Sequence, residues 1–325
     1  MSLHEAPPLA AQSHWDLDAI VAELREVRGR WRENRSRSRD LGEREFPSRD
    51  SVRDIVALLR GALFPLRLGP PDLKREGEDF YIGHALDTAL TGLAAQVRLE
   101  LSCRWRGDGS EPSTQELARH SGEIVAAFAA QLPRLRVLLD SDVEAAFRGD
   151  PAAQSVDEVL LCYPGVLALI HHRFAHQLYQ LGVPLIARIV AELAHSETGI
   201  DIHPGARIGA HFFIDHGTGV VIGETAEIGE RVRIYQAVTL GAKRFETEEG
   251  GALQKGRPRH PIVEDDVVVY AGATILGRVT IGRGSSIGGN VWLTRSVPPG
   301  SQVTQARLEH AVGASTTAID KAQGR

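Results

Sequence analysis

The stretch GIDIHPGARIGAHFFIDHGTG, from Gly199 to Gly219, decides the fold because its large aliphatic residues recur every six positions. Ile202, Ile208 and Ile214 mark the steps, and neither the 3.6-residue period of a helix nor the 2-residue period of a strand gives a spacing of six. A hexapeptide repeat is typical of a parallel β-helix, in which each repeat forms one short strand and a turn. The stretch therefore predicts stacked coils whose aliphatic side chains point inward.

The six-residue spacing continues towards the C-terminus with one interruption. The aliphatic positions form three ladders: Ile202, Ile208, Ile214, Val220, Ala226, Val232 and Val238; Ile222, Ile228, Ile234 and Leu240; and Val263, Val269, Ile275, Ile281, Ile287 and Leu293. Three flat sides of six residues make a triangular coil of about eighteen residues, so residues 199–305 are predicted to form about five coils.

The interruption, AKRFETEEGGALQKGRPRH from Ala242 to His260, replaces the aliphatic steps with charged residues and glycines. An insertion at a corner leaves the coils on either side of it stacked, so residues 242–260 are predicted to project as a loop. Loops of this length inside compact repeats are usually functional or disordered.

The residues before Gly199 carry helical signals. Between 51 and 198, segments such as SVRDIVALLRGALFPL have apolar residues at helical spacing and Ser, Asp, Pro or Gly near their ends. Residues 1–50 are polar and charged and are interpreted as a solvated helix or a disordered arm. The fold class is therefore α+β: an α-helical domain (51–198), a left-handed parallel β-helix of hexapeptide repeats (199–305) with an inserted loop, and a tail (306–325). The left hand is implied by the resemblance to known hexapeptide proteins, not by the spacing.

Composition narrows the functional classes. The chain has 325 residues and a formal net charge of −5, from 37 basic and 42 acidic residues, which gives no reason to expect nucleic acid or an anionic membrane as a partner. It contains no run of eighteen apolar residues and no apolar stretch behind a basic N-terminus, so neither a membrane span nor a secretory signal is predicted. We expect a cytoplasmic protein.

An acid and a histidine in the opening stretch suggest chemistry. Asp201 and His216 are fifteen residues apart, so a coil of about eighteen residues places them on neighbouring coils. A carboxylate that binds one imidazole nitrogen makes the other nitrogen a better base, able to take the proton of an alcohol. The alternative is a corner histidine whose hydrogen bond to a nearby acid is purely structural.

A second group of histidines lies in the helical part. His172 and His176 are four residues apart on one helical face, with His171 beside them, and could hold a metal ion. No third ligand or glutamate base follows in a recognised pattern, so packing or subunit-contact histidines are favoured over a metal site.

Five motifs together identify a family. The segments DIHPGARIG, DHGTGVVIGETAEIG, VTLGA, RHPIVEDDVVVYAGATILG and SVPPGS closely resemble serine acetyltransferases, over roughly residues 150–301. The resemblance implies transfer of acetyl from acetyl-CoA to the hydroxyl of L-serine, giving O-acetylserine and CoA in the first step of cysteine synthesis. It makes His216 of DHGTG the catalytic base and Asp201 of DIHP the carboxylate that orients it.

The resemblance also assigns the serine site. Asp215 and Asp150 match acids that hold the serine ammonium group, while Arg259 and His260 of RHP match residues that hold its carboxylate from the neighbouring subunit. Such a set suits a small zwitterion, because an ammonium group needs acids and a carboxylate fits the guanidinium fork.

Acetyl-CoA is the expected co-substrate, with no metal or prosthetic group. The family match points to Gly241, Ala271 and Gly289 as positions where small side chains let pantetheine approach the backbone between adjacent subunits. The glycines have an equally good structural interpretation as coil corners.

The resemblance further implies a homo-trimer or a dimer of trimers and feedback inhibition by L-cysteine at the serine site. Family members that dock into O-acetylserine sulfhydrylase usually end in Ile, whereas this chain ends in Arg325 with Ile319 six residues inside. Docking to that enzyme is therefore not predicted.

Three other functions stay open from the residues alone. A hexapeptide acetyltransferase acting on homoserine or a sugar would share the fold, although a sugar has no paired ammonium and carboxylate for the four predicted serine-binding residues. A zinc enzyme of the γ-carbonic anhydrase type would need three histidines at one subunit boundary, with candidates His203, His211, His216 and His260. The third is a scaffold without catalytic activity.

Overall fold

The computed structural model describes residues 15–34, 46–107, 113–243 and 256–305. The chain divides into two compact units, residues 1–45 and 46–325. The described part of the first unit is a single helix, α1 (Leu17–Asn34). The predictions for the tail, for most of the 242–260 loop and for much of the 1–50 arm concern residues outside the described ranges.

The second unit begins with helices, as the sequence predicts. They are α2 (Arg49–Leu63), α3 (Pro65–Leu68), a 3₁₀ turn (Arg75–Gly77), α4 (Glu78–Gly107), α5 (Thr114–Gly149), α6 (Val156–Cys162), α7 (Pro164–Gln180) and α8 (Pro184–Thr198). Within the described ranges, no helix is long and apolar enough to cross a membrane.

Local sequence signals start and stop these helices. The Ser113 hydroxyl caps α5 and the Glu116 side chain reaches back to the Ser113 amide, a capping box that satisfies two otherwise unpaired donors. Helix α8 ends where Gly199 takes a left-handed conformation with a φ of 69°, which a glycine adopts without steric cost. The next residues then leave in the direction of the first strand.

The remainder consists of short parallel strands: β1 (Asp201–Ile202), β2 (Arg207–Ile208), β3 (Phe213–Ile214), β4 (Val221–Ile222), β5 (Glu227–Ile228), β6 (Arg233–Ile234), β7 (Thr239–Gly241), β8 (Ile262–Val263), β9 (Val268–Val269), β10 (Thr274–Leu276), β11 (Thr280–Ile281), β12 (Ser286–Ile287), β13 (Trp292–Leu293) and β14 (Gln302–Val303). Successive strands go to different sheets. Sheet 1 has the order β1-β4-β7-β10-β13, sheet 2 the order β11-β8-β5-β2, and sheet 3 the order β14-β12-β9-β6-β3. Three parallel sheets visited in turn are the three sides of a β-helix.

The inward ladder is the core of this part. Ile202, Ile222, Leu240 and Ile275 are aligned along sheet 1, and each is at most 4% exposed. The residue two positions earlier is also buried, as at Val220. Both sequence ladders thus contribute to the core. The first ladder lies in the strands up to Ile214 and at the corners from Val220 onward, whereas the ladder through Ile222 lies in the strands.

The first coil is longer than the predicted eighteen residues. Ile202 pairs with Ile222, a step of twenty, whereas Ile222 pairs with Leu240, a step of eighteen. Seven positions separate Ile214 from Val221 at the corner between sheets 3 and 1, where later coils use five. Two additional residues therefore lie at this corner of the first coil.

The predicted insertion falls between sheets 1 and 2. Strand β7 ends at Gly241 and β8 begins at Ile262, yet Ile228 of β5 pairs directly with Val263 of β8. Stacking is therefore continuous across the interruption. Residues 244–255 lie outside the described ranges, so the projecting loop stays a prediction, as does the left hand of the coil.

A buried ion pair joins the helices to the first coil. Arg173 of α7 donates to both carboxylate oxygens of Asp142 of α5, at 2.9–3.1 Å, and their side chains are 4% and 1% exposed. The same guanidinium donates to the carbonyl oxygens of Ile208 and Gly209, and Asp142 accepts from the amide of Phe212. The pair thus fixes the first coil, which carries Asp201 and His216, against α5 and α7.

Candidate active site

The two additional residues at the corner between sheets 3 and 1, called here corner 3/1, are His216 and Gly217. Asp215 and Thr218 align with Tyr235 and Gln236 of the next coil, which leaves no counterpart for the two residues between them. His216 has a φ of 60° and Gly217 a φ of 93°, so both residues take left-handed backbone conformations. Gly217 is buried against Ile200, whereas the His216 side chain is 70% exposed.

Asp215 lies beside His216 and is buried. Its Oδ2 accepts a hydrogen bond of 2.6 Å from Arg233 of β6, and its Oδ1 is 3.8 Å from Nε2 of His216. Arg233 also donates to the carbonyl oxygen of Gly149 at 2.6 Å and lies over the rings of Phe213 and Tyr235. One guanidinium thus holds the acid of the corner and the end of α5 together.

Asp150 joins this corner from the end of α5. Its carboxylate accepts hydrogen bonds from the Tyr163 hydroxyl, at 2.5 Å, and from the amide of Ala152, at 2.8 Å. These bonds, with weaker contributions from the charges of Arg233 and His216, hold the pKa of Asp150 below its ordinary value. The same contact raises the pKa of Tyr163 to about 12. Asp150 is therefore an anion at neutral pH, within electrostatic range of His216.

Asp201 lies on the same first coil as His216, since its counterpart on the next coil is Val221. The structure forms no hydrogen bond or ion pair between the two described side chains, so the orienting role of Asp201 stays a prediction. A carboxylate oxygen of Asp201 lies instead within 4.8 Å of ring and carboxylate atoms of His195 and Glu192 on α8. The Asp215 carboxylate is the one whose oxygen lies 3.8 Å from the His216 ring.

Arg259 and His260 lie together at the corner between sheets 1 and 2, called here corner 1/2. The Arg259 guanidinium donates to Glu224 at 2.6 Å, and Glu224 also accepts from the Tyr179 hydroxyl at 3.0 Å. Thr225 accepts from the backbone amides of Arg259 and His260. The two residues of the RHP motif are therefore fixed to the previous coil.

The His260 ring is held in a slot of fixed size. Its Nδ1 accepts from the Thr225 amide at 3.1 Å, and a β-carbon on Gly223 would lie 2.0 Å from its Cδ2. Only glycine leaves room for the ring. Burial, helped by the charge of Arg259, lowers the pKa of His260 to about 4, so its imidazole is neutral at pH 7.

The two clusters occupy different corners of one chain. Asp150, Asp215 and His216 gather at corner 3/1, whereas Arg259 and His260 gather at corner 1/2, across the face formed by sheet 1. Five residue steps lie between Gly219 and Glu224 along that face, roughly 16 Å at about 3.3 Å per residue. A molecule as small as an amino acid cannot touch both clusters of the same chain.

The predicted CoA positions divide between the same two corners. Ala271 and Gly289 lie in one column at corner 3/1, and a β-carbon on Gly289 would be 3.2 Å from the Ala271 carbonyl oxygen. Gly241 ends β7 at corner 1/2, where a β-carbon would be 2.9 Å from Leu276. Packing thus gives both glycines a structural role. That role is compatible with a ligand that approaches the backbone at the same positions.

The cluster of His171, His172 and His176 packs against the protein. His171 and His172 are buried, and His176 contacts the Pro204 carbonyl oxygen through Nδ1 at 2.8 Å. Burial lowers the pKa of His172 well below its ordinary value, and neither of its ring nitrogens has a hydrogen-bond partner among the residues that the structure describes. These placements fit the packing interpretation.

Sequence reasoning missed the residues that hold the predicted ones in place. Tyr163 and Arg233 bind the acids of corner 3/1, while Glu224 and Thr225 bind the basic residues of corner 1/2. The available signal was a charged residue one or two positions after a ladder position, as Arg233 follows Val232 and Glu224 follows Ile222. Its partner comes from another coil or helix and has no fixed spacing.

Comparisons with known proteins agree with this geometry. Residues 260–295 match the family model described as bacterial transferase hexapeptide (six repeats). The plasmid serine acetyltransferase of Synechococcus elongatus is 60% identical over 264 residues, which cover 81% of this chain and 83% of the relative.

Solved structures are similar as well. Entamoeba histolytica serine acetyltransferase 1 in complex with L-cysteine superimposes with a TM-score of 0.65 at 39% identity, covering 77% of this chain and 86% of that one. The serine acetyltransferase of Neisseria gonorrhoeae in complex with serine has a TM-score of 0.50 at 28% identity, covering 77% of this chain and 94% of that one.

Proposed function

The chain belongs to the serine acetyltransferase family, and on that premise we propose how its own residues move acetyl from acetyl-CoA to the hydroxyl of L-serine. The enzyme is an acyltransferase. The observation that carries the proposal is the pair of clusters: two anionic side chains beside an exposed imidazole at one corner, and a guanidinium with a neutral imidazole at another.

His216 is the proposed base. Its imidazole takes the proton of the serine hydroxyl while the hydroxyl oxygen attacks the thioester carbonyl carbon, since an alcohol is too weakly acidic to react unaided. The tetrahedral intermediate then releases the CoA thiolate, which recovers the proton from His216. The products are O-acetylserine and CoA, and the imidazole returns to its neutral form.

Two carboxylates are candidates for orienting that imidazole. The family motif assigns the role to Asp201, whereas Asp215 is the acid 3.8 Å from Nε2 of His216. Comparing Asp201→Asn with Asp215→Asn separates them. The orienting residue lowers kcat and shifts its pH profile, because the tautomer and basicity of His216 change, whereas an acid that binds only the ammonium group raises KM for serine.

Substrate recognition requires two copies of the chain in this proposal. Asp150 and Asp215 hold the ammonium group, and Arg259 with His260 of an adjacent copy holds the carboxylate. L-cysteine carries the same two groups, which supports its assignment as an inhibitor at the serine site. A closed trimer, alone or doubled, supplies such a neighbour at every site.

Acetyl-CoA is the proposed donor, lying in the groove between copies. Ala271 and Gly289 border the groove beside His216, and Gly241 borders it beside Arg259 of the adjacent copy. Small side chains at these positions let an extended pantetheine arm follow the backbone. A left-handed coil and a loop at 242–260 belong to the same proposal.

The first experiment measures thiol release from acetyl-CoA with L-serine, L-homoserine or a galactoside as acceptor. L-serine should give the highest kcat/KM, and His216→Ala should lower kcat by about 10²–10⁴-fold with the oligomer intact. Equal rates with a galactoside, or retained activity in His216→Ala, would contradict the proposal.

The second experiment tests the shared site. His216→Ala and Arg259→Ala chains, each nearly inactive alone, are co-expressed in equal amounts. Random mixing rebuilds an intact site wherever the unmutated His216 of one chain faces the unmutated Arg259 of the next chain. This occurs at about a quarter of the sites of a closed ring. The control replaces Arg259→Ala by a second His216→Ala preparation. Activity no higher than in that control would place both residues in one chain's site.

A further inference from the structure

Helix α1 carries a heptad pattern that the catalytic site does not use. With Leu17 at position a, the next a positions are Leu24 and Trp31, and the d positions are Ile20 and Val27. Apolar residues at a and d, repeated every seven positions, form the contact stripe of a coiled coil. The chain's first compact unit therefore presents a helix built to pack against another helix.

The stripe is exposed. Leu17, Ile20, Leu24 and Val27 are 62%, 47%, 50% and 52% exposed, whereas aliphatic residues of the core are nearly fully buried. A helix of eighteen residues is only marginally stable alone in water, so burial of these side chains on a partner would decide whether it forms.

Charges beside the stripe indicate the partner and its direction. Glu23 is at position g and Arg28 at position e, five residues later. In a parallel coiled coil, a g residue of one helix faces the e residue of the following heptad of its partner, so Glu23 of one copy meets Arg28 of another. The helix is thus complementary to itself in parallel register.

Symmetry gives the same direction. The rotation axis of a closed ring relates equivalent helices, so helices that run along that axis all point the same way. This step rests on the trimer of the proposed function. The heptad pattern and the charge pair stand without it.

We propose that α1 of one chain packs in parallel on α1 of a second copy of the chain, through Leu17, Ile20, Leu24 and Val27. The contact adds an interaction surface outside the catalytic region.

Cysteine cross-linking tests the contact in the full-length chain. In a background with Cys103→Ser and Cys162→Ser, Val27→Cys places a thiol on the stripe and Arg25→Cys places one on the outer face. A short bismaleimide should join Val27→Cys chains at least fivefold more than Arg25→Cys chains, because equivalent d positions of parallel helices face each other, whereas b positions point away from the seam. Equal yields would overturn the proposal. So would a Val27→Cys thiol that is shielded from maleimide yet never joins two chains, because the stripe would then pack on its own chain.

A mixed pair tests the direction. Co-expressed Glu23→Cys and Arg28→Cys chains should cross-link to each other more than co-expressed Glu23→Cys and Arg30→Cys chains, since g meets the following e in parallel helices. The reverse preference would show an antiparallel contact and overturn the parallel assignment. Thiol release from acetyl-CoA, measured on the same samples, reports on the catalytic site separately. Failure of the helix contact can therefore be distinguished from failure of the proposed function.

Discussion

Removing the guanidinium of Arg173 should destabilise the protein strongly, and the structure supplies a matched control. Arg173→Met keeps a long apolar side chain but leaves the Asp142 carboxylate, 1% exposed, without its partner, together with the carbonyl oxygens of Ile208 and Gly209. Breaking a buried ion pair from one side costs about 3–5 kcal/mol, a factor of roughly 10²–10³ or more in the folding equilibrium. Burial raises the pKa of Asp142 to about 6, so this carboxylate is charged at pH 7.5.

The control is Arg231→Met. Arg231 also makes two hydrogen bonds to an aspartate, Asp266, but these side chains are 46% and 43% exposed. An exposed pair contributes about 0–1 kcal/mol. The two arginines make the same kind of ion pair but differ in burial. The losses in free energy of unfolding are therefore predicted to differ by several kcal/mol.

The measurement is urea unfolding at pH 7.5 and one fixed protein concentration, because association couples stability to concentration. Adding Asp142→Asn to Arg173→Met should recover part of the loss, since the orphaned charge disappears. The gap between wild type and Arg173→Met should also narrow towards pH 5, where protonation neutralises Asp142 in the folded variant. An Arg173→Met loss within about 1 kcal/mol of the Arg231→Met loss would refute the reasoning.

Three other substitutions have defined outcomes. His172→Leu should raise the free energy of unfolding by about 1 kcal/mol in the same urea assay, because it removes two buried ring nitrogens that have no partner. For His260 the folded pKa, about 4, lies below the unfolded value, so stability is full above about pH 6.5 and falls as the pH drops towards 4. His260→Asn should flatten that loss in unfolding curves at pH 7.5, 5.5 and 4.5, and an unchanged slope would exclude His260 as its source. Gly223→Ala should displace the His260 ring and raise KM for serine more than KM for acetyl-CoA, and equal effects would contradict the placement of that ring.

The sequence predicted the β-helix because the inward positions leave little choice of residue. A side chain such as Ile222 or Ile275 must fill a narrow interior, so aliphatic residues recur wherever a strand crosses a face. The same periodicity could not give the length of the first coil. His216 and Gly217 carry no aliphatic signal, and they shift the ladder by two positions without interrupting it.

The orienting role of Asp201 stays a prediction, whereas the fold brings the other residues predicted for this corner together. The spacing suggested neighbouring coils for Asp201 and His216, but the first coil contains both residues, and the Asp201 carboxylate lies beside α8. Motifs identified Asp150 and Asp215, and the fold brings both to the corner of His216. Spacing could not identify Arg233, whose partners come from another coil and from the end of α5.

The internal pairing of each cluster bears on how a zwitterion is recognised. Asp215 is bound to Arg233 and Arg259 to Glu224 before any substrate arrives, so these four buried or half-buried charges are already paired among the described residues. In the proposed site, an arriving ammonium or carboxylate adds a second partner to an ion pair that already exists, which moderates the gain from each contact. Selectivity then comes from satisfying both corners at once, across two chains. A ligand with only one of the two charges should therefore bind far more weakly than one with both.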